Sequence, residues 1–216
     1  MSYKKQISLL LLAAFFALLG YETIAVINAR TATPEIFSNA LSPDKIEISL
    51  SQISNNRLQS LLQVEDPNFY QHNGIDLVTA GAGLTTITQG MVKYLYFDNF
   101  EPGFAKIEQT LIACFAVTPM VSKDDQLTVF INTAYFGTVN NKKVTGFPAA
   151  SMTYFEKPLT EISDTEFLSL VAMLIGPDHY SIKYHPERNQ ARVTKIMRLL
   201  SGEYVPTGVT DVLYDH

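Results

Sequence analysis

A short segment at residues 64–76 collects side chains that can hold or exchange protons. Its sequence, VEDPNFYQHNGID, contains the adjacent acids Glu65 and Asp66 and, shortly after them, His72. A carboxylate can accept a proton from a hydroxyl that attacks a substrate, which is the task of a general base. The segment also contains Asp-Pro-Asn and Asn-Gly, which are typical of turns, and a loop histidine is more often solvated or hydrogen-bonded than catalytic. On these residues alone, a catalytic segment and an ordinary loop are both open.

The composition excludes several classes of protein. The chain has 216 residues, of which 47% are hydrophobic and 17% charged, so it is long enough for one domain with a core and is not disordered. The net charge of −5 argues against a nucleic-acid binder that works through bulk positive charge. Cys114 is the single cysteine and lies among apolar neighbours, which favours a buried core residue, and the four histidines show no metal-ligand spacing.

The N-terminus predicts a membrane anchor. Lys4 and Lys5 precede an apolar run that has no charge over residues 7–21 and continues, with one glutamate, to Ile27. Such a run is roughly 30 Å long as a helix, about the thickness of the hydrocarbon core of a bilayer. A cleaved signal peptide is the alternative. The lysines favour a cytoplasmic N-terminus, which places everything after Arg30 on the far side of the membrane.

Helical signals dominate the rest of the chain. Ser122 and Ser163 each begin a capping pattern before an apolar run, Pro119 ends the preceding helical stretch, and PERNQARVTKIMRLL is a final amphipathic helix. Alternating strand patterns are few, so the sequence predicts one mostly α domain. The predicted boundaries are a cytoplasmic tail at 1–6, a transmembrane anchor at 7–28, a linker at 29–49, the domain at 50–201 and a C-terminal tail at 202–216.

Five stretches of the sequence form an ordered set of motifs. They are EDPNFYQHNG at 65–74, GLTTITQG at 83–90, SKDDQLTVFINTAYFG at 122–137, GFPAASMTYFEK at 146–157 and GPDHYSIKYHPERNQARV at 176–193. In order and content, this set resembles glycosyltransferase family 51, the peptidoglycan glycosyltransferase domain of class A penicillin-binding proteins and of monofunctional enzymes. The resemblance extends over about residues 50–201, which is nearly all of the chain beyond the predicted anchor.

The resemblance implies a fold and a reaction. The fold is a mostly α, lysozyme-like glycosyltransferase domain with one N-terminal transmembrane helix. The substrates are lipid II and a lipid-linked glycan chain: an acceptor 4-hydroxyl attacks the anomeric carbon of the donor, and a polyprenyl pyrophosphate leaves. Glu65 is the expected general base, and Lys93 and Lys106 are expected at the pyrophosphate. The complete set of expected substrate-binding residues is Asp66, Phe69, His72, Thr85, Thr86, Thr88, Gln89, Lys93, Lys106 and Gln109.

The resemblance also sets the expected partners and location. The domain is expected outside the bacterial inner (cytoplasmic) membrane, on the periplasmic or extracytoplasmic side, attached by a single pass. Other cell-wall synthesis proteins are candidate partners, and nucleic acid is not. These residues identify no certain cofactor and include no metal ligand set, and a divalent cation, Mg²⁺ or Mn²⁺, at the pyrophosphate is the one candidate that the resemblance adds. No transpeptidase motif follows before His216, so a monofunctional enzyme is expected.

The chain departs from the family pattern on the side that is expected to bind the pyrophosphate. The family sequence Arg-Lys-x-x-Glu falls on Ala105, Lys106 and Gln109, so an arginine and a glutamate are replaced. A further family arginine falls on Glu101, and the segment that joins the first two motifs is short. Glu108 cannot substitute for the lost glutamate without a shift of helix register, because at about 100° per residue it points roughly 200° away from Lys106.

These departures leave three functions open. The first is a glycosyltransferase that polymerises lipid II, which the intact segment around Glu65 favours. The second is a catalytically degraded relative that binds lipid-linked precursor or cell-wall synthesis proteins, which the replaced residues favour. The third is a muramidase-like hydrolase of related fold. It is the least suitable of the three, because the anchor and the Thr-Gln loop (residues 83–90) suit a lipid-pyrophosphate donor better than cleavage of a polymer.

Overall fold

The structure of the protein is a computed structural model, which describes residues 3–215. Within this range the chain forms eight α-helices and a two-stranded sheet, which confirms the mostly α class. The helices are α1 Tyr3–Ala40, α2 Asn55–Glu65, α3 Ile87–Leu95, α4 Phe104–Ile112, α5 Lys123–Thr133, α6 Phe147–Phe155, α7 Asp164–Met173 and α8 Pro186–Leu200, and the strands are β1 Tyr135–Val139 and β2 Lys142–Thr145. A 3₁₀ turn at Leu50–Gln52 and a π-helical turn at Ala113–Val117 complete the elements.

Side-chain caps determine where several of these helices begin. Before α7, Ser163 Oγ accepts a hydrogen bond from the backbone N–H of Glu166 at 3.2 Å, and the Glu166 carboxylate accepts one from Ser163 N–H at 2.7 Å. Ser122 caps α5 by accepting from the backbone N–H of Asp125 at 3.1 Å. Each cap satisfies N–H groups that have no partner inside the helix. Both predicted caps are confirmed, and α8 begins at the predicted Pro186.

The small sheet was not expected from the sequence. Strands β1 and β2 pair antiparallel, with Val139 opposite Lys142, and the connecting residues Asn140 and Asn141 both have positive φ. Asparagine tolerates this left-handed conformation better than most residues, and a two-residue turn of this kind matches the twist of a hairpin. The Asn-Asn pair was therefore the feature of the sequence that could have predicted this hairpin.

The core lies around α7. Every residue of this helix from Phe167 to Met173 is buried, which fits a sequence that is apolar there except for Ser169. The Phe147 ring contacts Phe136 on β1 at a centroid distance of 4.8 Å and Phe167 on α7 at 5.5 Å. These rings fasten the hairpin and α6 to the central helix, so the site described below is built on packed elements.

Helix α1 extends well beyond the predicted anchor. The prediction of a linker over 29–49 is wrong for its first part, because the chain is helical as far as Ala40. Ala29, Thr33 and Phe37 are buried, and Thr33 Oγ1 lies 2.7 Å from the Tyr96 hydroxyl. Helix α1 packs against α4 and the π-helical turn, so apolar burial at helical spacing holds this part of the helix on the domain. Among residues 3–215, α1 is the one helix that is long and apolar enough to cross a membrane.

The C-terminal segment, residues 203–215, packs along the domain. The backbone N–H of Gly81 donates to the carbonyl of Gly208 at 2.9 Å, and that of Gly83 donates to Val209 at 2.7 Å. Tyr214 is 1% exposed, and its hydroxyl donates to the carbonyl of Val64 at 3.3 Å. The segment therefore holds the short connection at 77–83, which forms turns and no helix, against the end of α2.

Candidate active site

A cavity of about 590 Å³ opens where the end of α2 meets α3, α4 and α8. Glu65 lines it from α2, Lys93 from α3, Lys106 from α4 and Arg192 from α8. Other parts of the wall come from the loop before α3, from Tyr94, Tyr135, Leu174 and Ile175, and from Val212 of the C-terminal segment. Most of the wall is apolar and a few ionisable groups converge on it, which is the usual composition of a ligand site.

Glu65 is the last residue of α2, and its side chain is partly buried at the cavity wall. Burial raises the pKa of the Glu65 carboxyl to about 7, with the Arg192 guanidinium acting against this rise and the Asp66 carboxylate adding to it. No residue in the range 3–215 donates a hydrogen bond to the Glu65 carboxyl group. A carboxyl group with these properties can exchange a proton near neutral pH, as a general base must.

Asp66 and His72 form a buried structural pair behind Glu65. Asp66 is fully buried and accepts from His72 Nε2 at 2.9 Å and from the backbone N–H of Ile87 at 2.9 Å. The backbone N–H of Gly74 donates to His72 Nδ1 at 3.0 Å, so Nδ1 carries no proton and Nε2 is the donor to Asp66. The pair therefore ties the end of α2, the turn at Gly74 and the start of α3 together, so His72, which was expected at the substrate, holds the loop in position.

Gly74 is required by close packing of this loop. Its φ is +93°, and a Cβ there would lie 2.6 Å from the carbonyl oxygen of Ala113 in the π-helical turn. The carbonyl of Gly74 also accepts from Thr86 Oγ1 at 2.8 Å. Only glycine combines this positive φ with such a close approach to the Ala113 carbonyl, so Gly74 allows the loop after Glu65 to pack against the π-helical turn.

The Thr-Gln loop divides into one exposed donor and several buried ones. Thr85 is exposed in the cavity, whereas Thr86 and Gln89 form a capping box at the start of α3. Thr88 is buried and donates to Gln126 Oε1 at 2.7 Å, and Gln89 Nε2 donates to Thr110 Oγ1 at 2.8 Å. These bonds satisfy buried polar atoms, so most of the loop maintains the shape of the cavity wall.

Two lysines converge on the side of the cavity formed by α3 and α4. Lys106 Nζ donates to Thr85 Oγ1 at 2.8 Å, and Lys93 Nζ lies 5.4 Å from the ring centroids of both Tyr94 and Phe100. Burial lowers the pKa of Lys106, and the neighbouring charge of Lys93 lowers it further. Two like charges held close together in a cavity are stabilised by an anion placed between them.

Gln109 occupies the position of the replaced family glutamate. It is 1% exposed at the cavity wall, and its Nε2 donates to the carbonyl of Gln89 at 2.5 Å, while its Oε1 is buried without a partner in the described residues. A carboxylate here would turn an oxygen, and not an N–H, toward the Gln89 carbonyl. The surroundings are therefore adapted to an amide.

The other two replaced positions, Glu101 and Ala105, lie outside the cavity wall, as does Glu108. Glu108 faces α1, where its Oε2 accepts from the Tyr21 hydroxyl at 3.4 Å, and it does not line the cavity. Lys106 and Gln109 both line the cavity, as the helical spacing predicted. Glu101 is exposed and accepts from Asn99 Nδ2 at 3.2 Å.

The structure thus divides the predicted site residues into two groups. Residues on the cavity wall are Glu65, Thr85, Thr86, Lys93, Lys106 and Gln109. Residues behind the wall, each buried, are Asp66, Phe69, His72, Thr88 and Gln89. Phe69 is covered by Lys123, whose Nζ lies 4.4 Å from the ring centroid. We expect the second group to act on a ligand only through the residues that they hold.

Arg192 is the charged wall residue that sequence reasoning missed. It is 3% exposed and falls on the apolar stripe of α8 between Asn189 and Val193. An arginine on a buried helix face is rare unless it is paired, and this was the signal that could have found it.

The wall does not form a dedicated metal site. In the described part of the chain, no group of three or more His, Cys, Asp or Glu side chains could hold a metal ion. At the position of the replaced glutamate the wall offers the unpartnered Gln109 Oε1, and an amide oxygen is a weaker ligand for a hard cation than a carboxylate.

Comparisons with known proteins bear on the same region. A family model described as Transglycosylase matches residues 35–201. The chain is 30% identical over 171 residues to penicillin-binding protein 1B of Escherichia coli, covering 73% of this chain and 20% of that protein. It is 27% identical over 226 residues to penicillin-binding protein 1F of Bacillus subtilis, covering 91% and 31%, respectively. The chain therefore spans about a fifth to a third of the length of these relatives.

Proposed function

The chain belongs to the transglycosylase family, and on that premise we propose that it is a peptidoglycan glycosyltransferase. It polymerises lipid II into glycan strands and releases polyprenyl pyrophosphate. The observation that carries this proposal is the content of one cavity. A carboxyl group with a pKa of about 7 lies on one side of it, and two neighbouring lysines lie on another.

Each wall residue has a task in this reaction. The acceptor 4-hydroxyl attacks the anomeric carbon of the donor sugar, and Glu65 accepts the hydroxyl proton as the new bond forms. Negative charge accumulates on the departing pyrophosphate, and Lys93 and Lys106 stabilise it there. Thr85, which already accepts from Lys106, orients that lysine and presents its own hydroxyl toward the same anion. No step in this scheme requires a metal ion.

Helix α1 supports a location at the membrane for this chemistry. Both substrates carry long polyprenyl chains, and α1 packs on α4, the helix that carries Lys106. We place the domain on the extracytoplasmic face of the bacterial inner membrane, with α1 as an uncleaved single-pass anchor. Recovery of mature protein that lacks the first 28 or so residues would contradict this placement.

The experiment that tests the proposed function is a lipid II polymerisation assay on the purified full chain in detergent. Formation of glycan strands and release of polyprenyl pyrophosphate are expected. The second candidate function, a degraded relative that binds lipid-linked precursor, is favoured by the amide of Gln109 and its bond to the Gln89 carbonyl. Saturable binding of lipid II with no polymerisation would select this second function.

The pH dependence of the reaction follows from Glu65. Because a general base must be deprotonated, and because burial raises the pKa of Glu65 to about 7, we expect the rate to fall as the pH is lowered through about 7. Below this point kcat/KM is expected to decrease about tenfold per pH unit. Initial rates of polymerisation between pH 5 and 9 measure the profile. A rate that falls little between pH 7 and pH 5, as expected for a glutamate with its ordinary pKa of about 4.3, would contradict the assignment.

Removal of divalent cations is expected to have little effect. Because the cavity lacks a carboxylate at Gln109 and has two lysines for the pyrophosphate, we expect a chelator to change the rate by less than about twofold. Polymerisation assays with and without EDTA, followed by Mg²⁺ or Mn²⁺ addition, measure this. A steep loss that either metal restores would show that a cation takes part.

A further inference from the structure

Arg192 is a buried cation that lines the same cavity as Glu65 and is held in place by its surroundings. Its Nη1 donates to the carbonyl of Val212 at 3.1 Å, and its guanidinium carbon lies 5.4 Å from the Tyr180 ring centroid and 5.7 Å from that of Tyr214. The two rings and the carbonyl restrain the guanidinium group, because cation–π contacts are favourable when both groups are desolvated. Nε of Arg192 is buried and has no partner in residues 3–215.

The same restraints connect Arg192 to the backbone next to Glu65. Tyr214, which lies against the guanidinium group, also donates from its hydroxyl to the carbonyl of Val64. Val64 directly precedes Glu65 at the end of α2. Arg192 and Glu65 thus both line the cavity. The C-terminal segment at 203–215 contacts the guanidinium group and also the backbone next to Glu65.

We infer that Arg192 is a positioning residue for Glu65: it is the buried counter-cation that keeps this carboxyl group able to accept a proton, and the C-terminal segment holds it in place. A carboxyl group in an apolar wall tends to stay protonated, and a protonated group is not a base. A fixed positive charge in the same wall opposes this tendency without occupying the carboxyl oxygens with a hydrogen bond. Glu65 then remains free to bond to the acceptor hydroxyl.

The other charged and titratable groups around Glu65 have different effects. Directly after Glu65, at the end of α2, lies Asp66, whose charge acts in the opposite direction, and the C-terminal segment brings Tyr214. Lys93 and Lys106 line the same cavity from α3 and α4, with Tyr94 and Tyr135 on its wall, while the wall residues beyond α7, Leu174 and Ile175, carry no charge. Among the described residues, Arg192 is the cation whose charge lowers the pKa of Glu65, and α8 and the C-terminal segment hold it in the same cavity wall.

The test compares the pH profile of polymerisation by Arg192→Gln with that of the parent. The quantity compared is the position of the acid limb, which is the pH at which the rate falls as the solution becomes more acidic. Loss of a nearby opposite charge raises the pKa of a carboxyl group by about one unit or more, so we expect the limb to move up by about one pH unit. The rate at high pH is expected to change less than the rate at low pH. The normalised shape of the profile does not depend on how much of the variant is folded. Arg192→Lys keeps the charge and is expected to restore most of the shift.

Arg188→Gln is the matched control. Arg188 lies one turn earlier on α8, is exposed, and has its Nη1 3.3 Å from His179 Nδ1, away from the main cavity. Its removal is expected to leave the limb in place. If Arg192→Gln leaves the limb in place, or Arg188→Gln moves it as far, the inference is wrong. If Arg192→Gln does not fold, the same measurement is made on Tyr180→Leu, which removes one of the two rings that lie against the guanidinium group. An unchanged acid limb in the pH profile of Tyr180→Leu rejects the inference.

The inference rests on the proposed role of Glu65, and a second readout separates the two. The Glu65 carboxyl carbon can be titrated directly by NMR in detergent with ¹³C-labelled glutamate, using Glu65→Gln to assign its resonance. A parent protein that does not polymerise lipid II would refute the proposed function. The titration midpoint of Glu65 would still have to move up in Arg192→Gln, and an unmoved midpoint would refute the coupling to Arg192.

Discussion

Glu65→Gln is expected to lower the rate of lipid II polymerisation by at least about a hundredfold, because positioned general bases contribute about 10²–10⁴ to such reactions. Glutamine has nearly the size of glutamate but cannot accept the proton of the acceptor hydroxyl. The loss is expected in kcat, since the proton is transferred in the transition state and the substrate is still bound. The assay is polymerisation by the purified variant beside the parent at the optimal pH.

Folding must be separated from chemistry in this experiment. No described residue donates a hydrogen bond to the Glu65 carboxyl, so the amide is expected to leave the melting temperature nearly unchanged. Glu161→Gln, an exposed glutamate in the loop before α7, is the matched control and is expected to keep full activity. A Glu65→Gln protein that polymerises as fast as the parent would remove Glu65 from the role of base.

Lys106→Gln has the second-largest expected effect. A charge-assisted hydrogen bond contributes about 1.5–3 kcal/mol, so losing the bond from Lys106 to the pyrophosphate is expected to lower kcat/KM by at least about tenfold. The loop is held by the Thr86–Gln89 capping box and Thr85 is exposed, so the loop is expected to keep its position and the effect reports the loss of the charged group. Steady-state kinetics over a range of lipid II concentrations measure it.

Lys143→Gln provides the control for net charge. Lys143 is exposed on β2, and its removal changes the charge of the protein by the same amount outside the cavity wall. We expect this variant to behave as the parent does. Equal losses in both lysine variants would point to electrostatic attraction of the substrate to the whole protein, and no loss in Lys106→Gln would remove Lys106 from the pyrophosphate site.

Local features of this protein could be predicted from the sequence because they depend on neighbours a few residues away. The caps at Ser122 and Ser163 satisfy the N–H groups of the next turn, and the shared face of Lys106 and Gln109 follows from the helical repeat. The membrane-length helix follows from a continuous apolar run. The family was recognisable because its motifs survive in order, and the matching region covers residues 35–201.

Features that depend on contacts between distant segments could not be predicted in this way. Thr88 and Gln109 were both expected at the substrate, but the partner of Thr88 is Gln126, while Gln109 bonds to the carbonyl of Gln89 and still reaches the wall. Helix α1 was predicted to end near residue 28, and its packing on α4 extends it to Ala40.

The difference between what the sequence determines and what the tertiary structure determines is clearest at Glu65. Its residue type and its place in a motif were determined by the sequence, and they predicted a general base. Its pKa is determined by burial among segments that lie far apart in the chain, and by Arg192, which residues more than a hundred positions away from Glu65 hold in place. Desolvation and charge act through space, so only the tertiary structure decides which protons this carboxyl group can take.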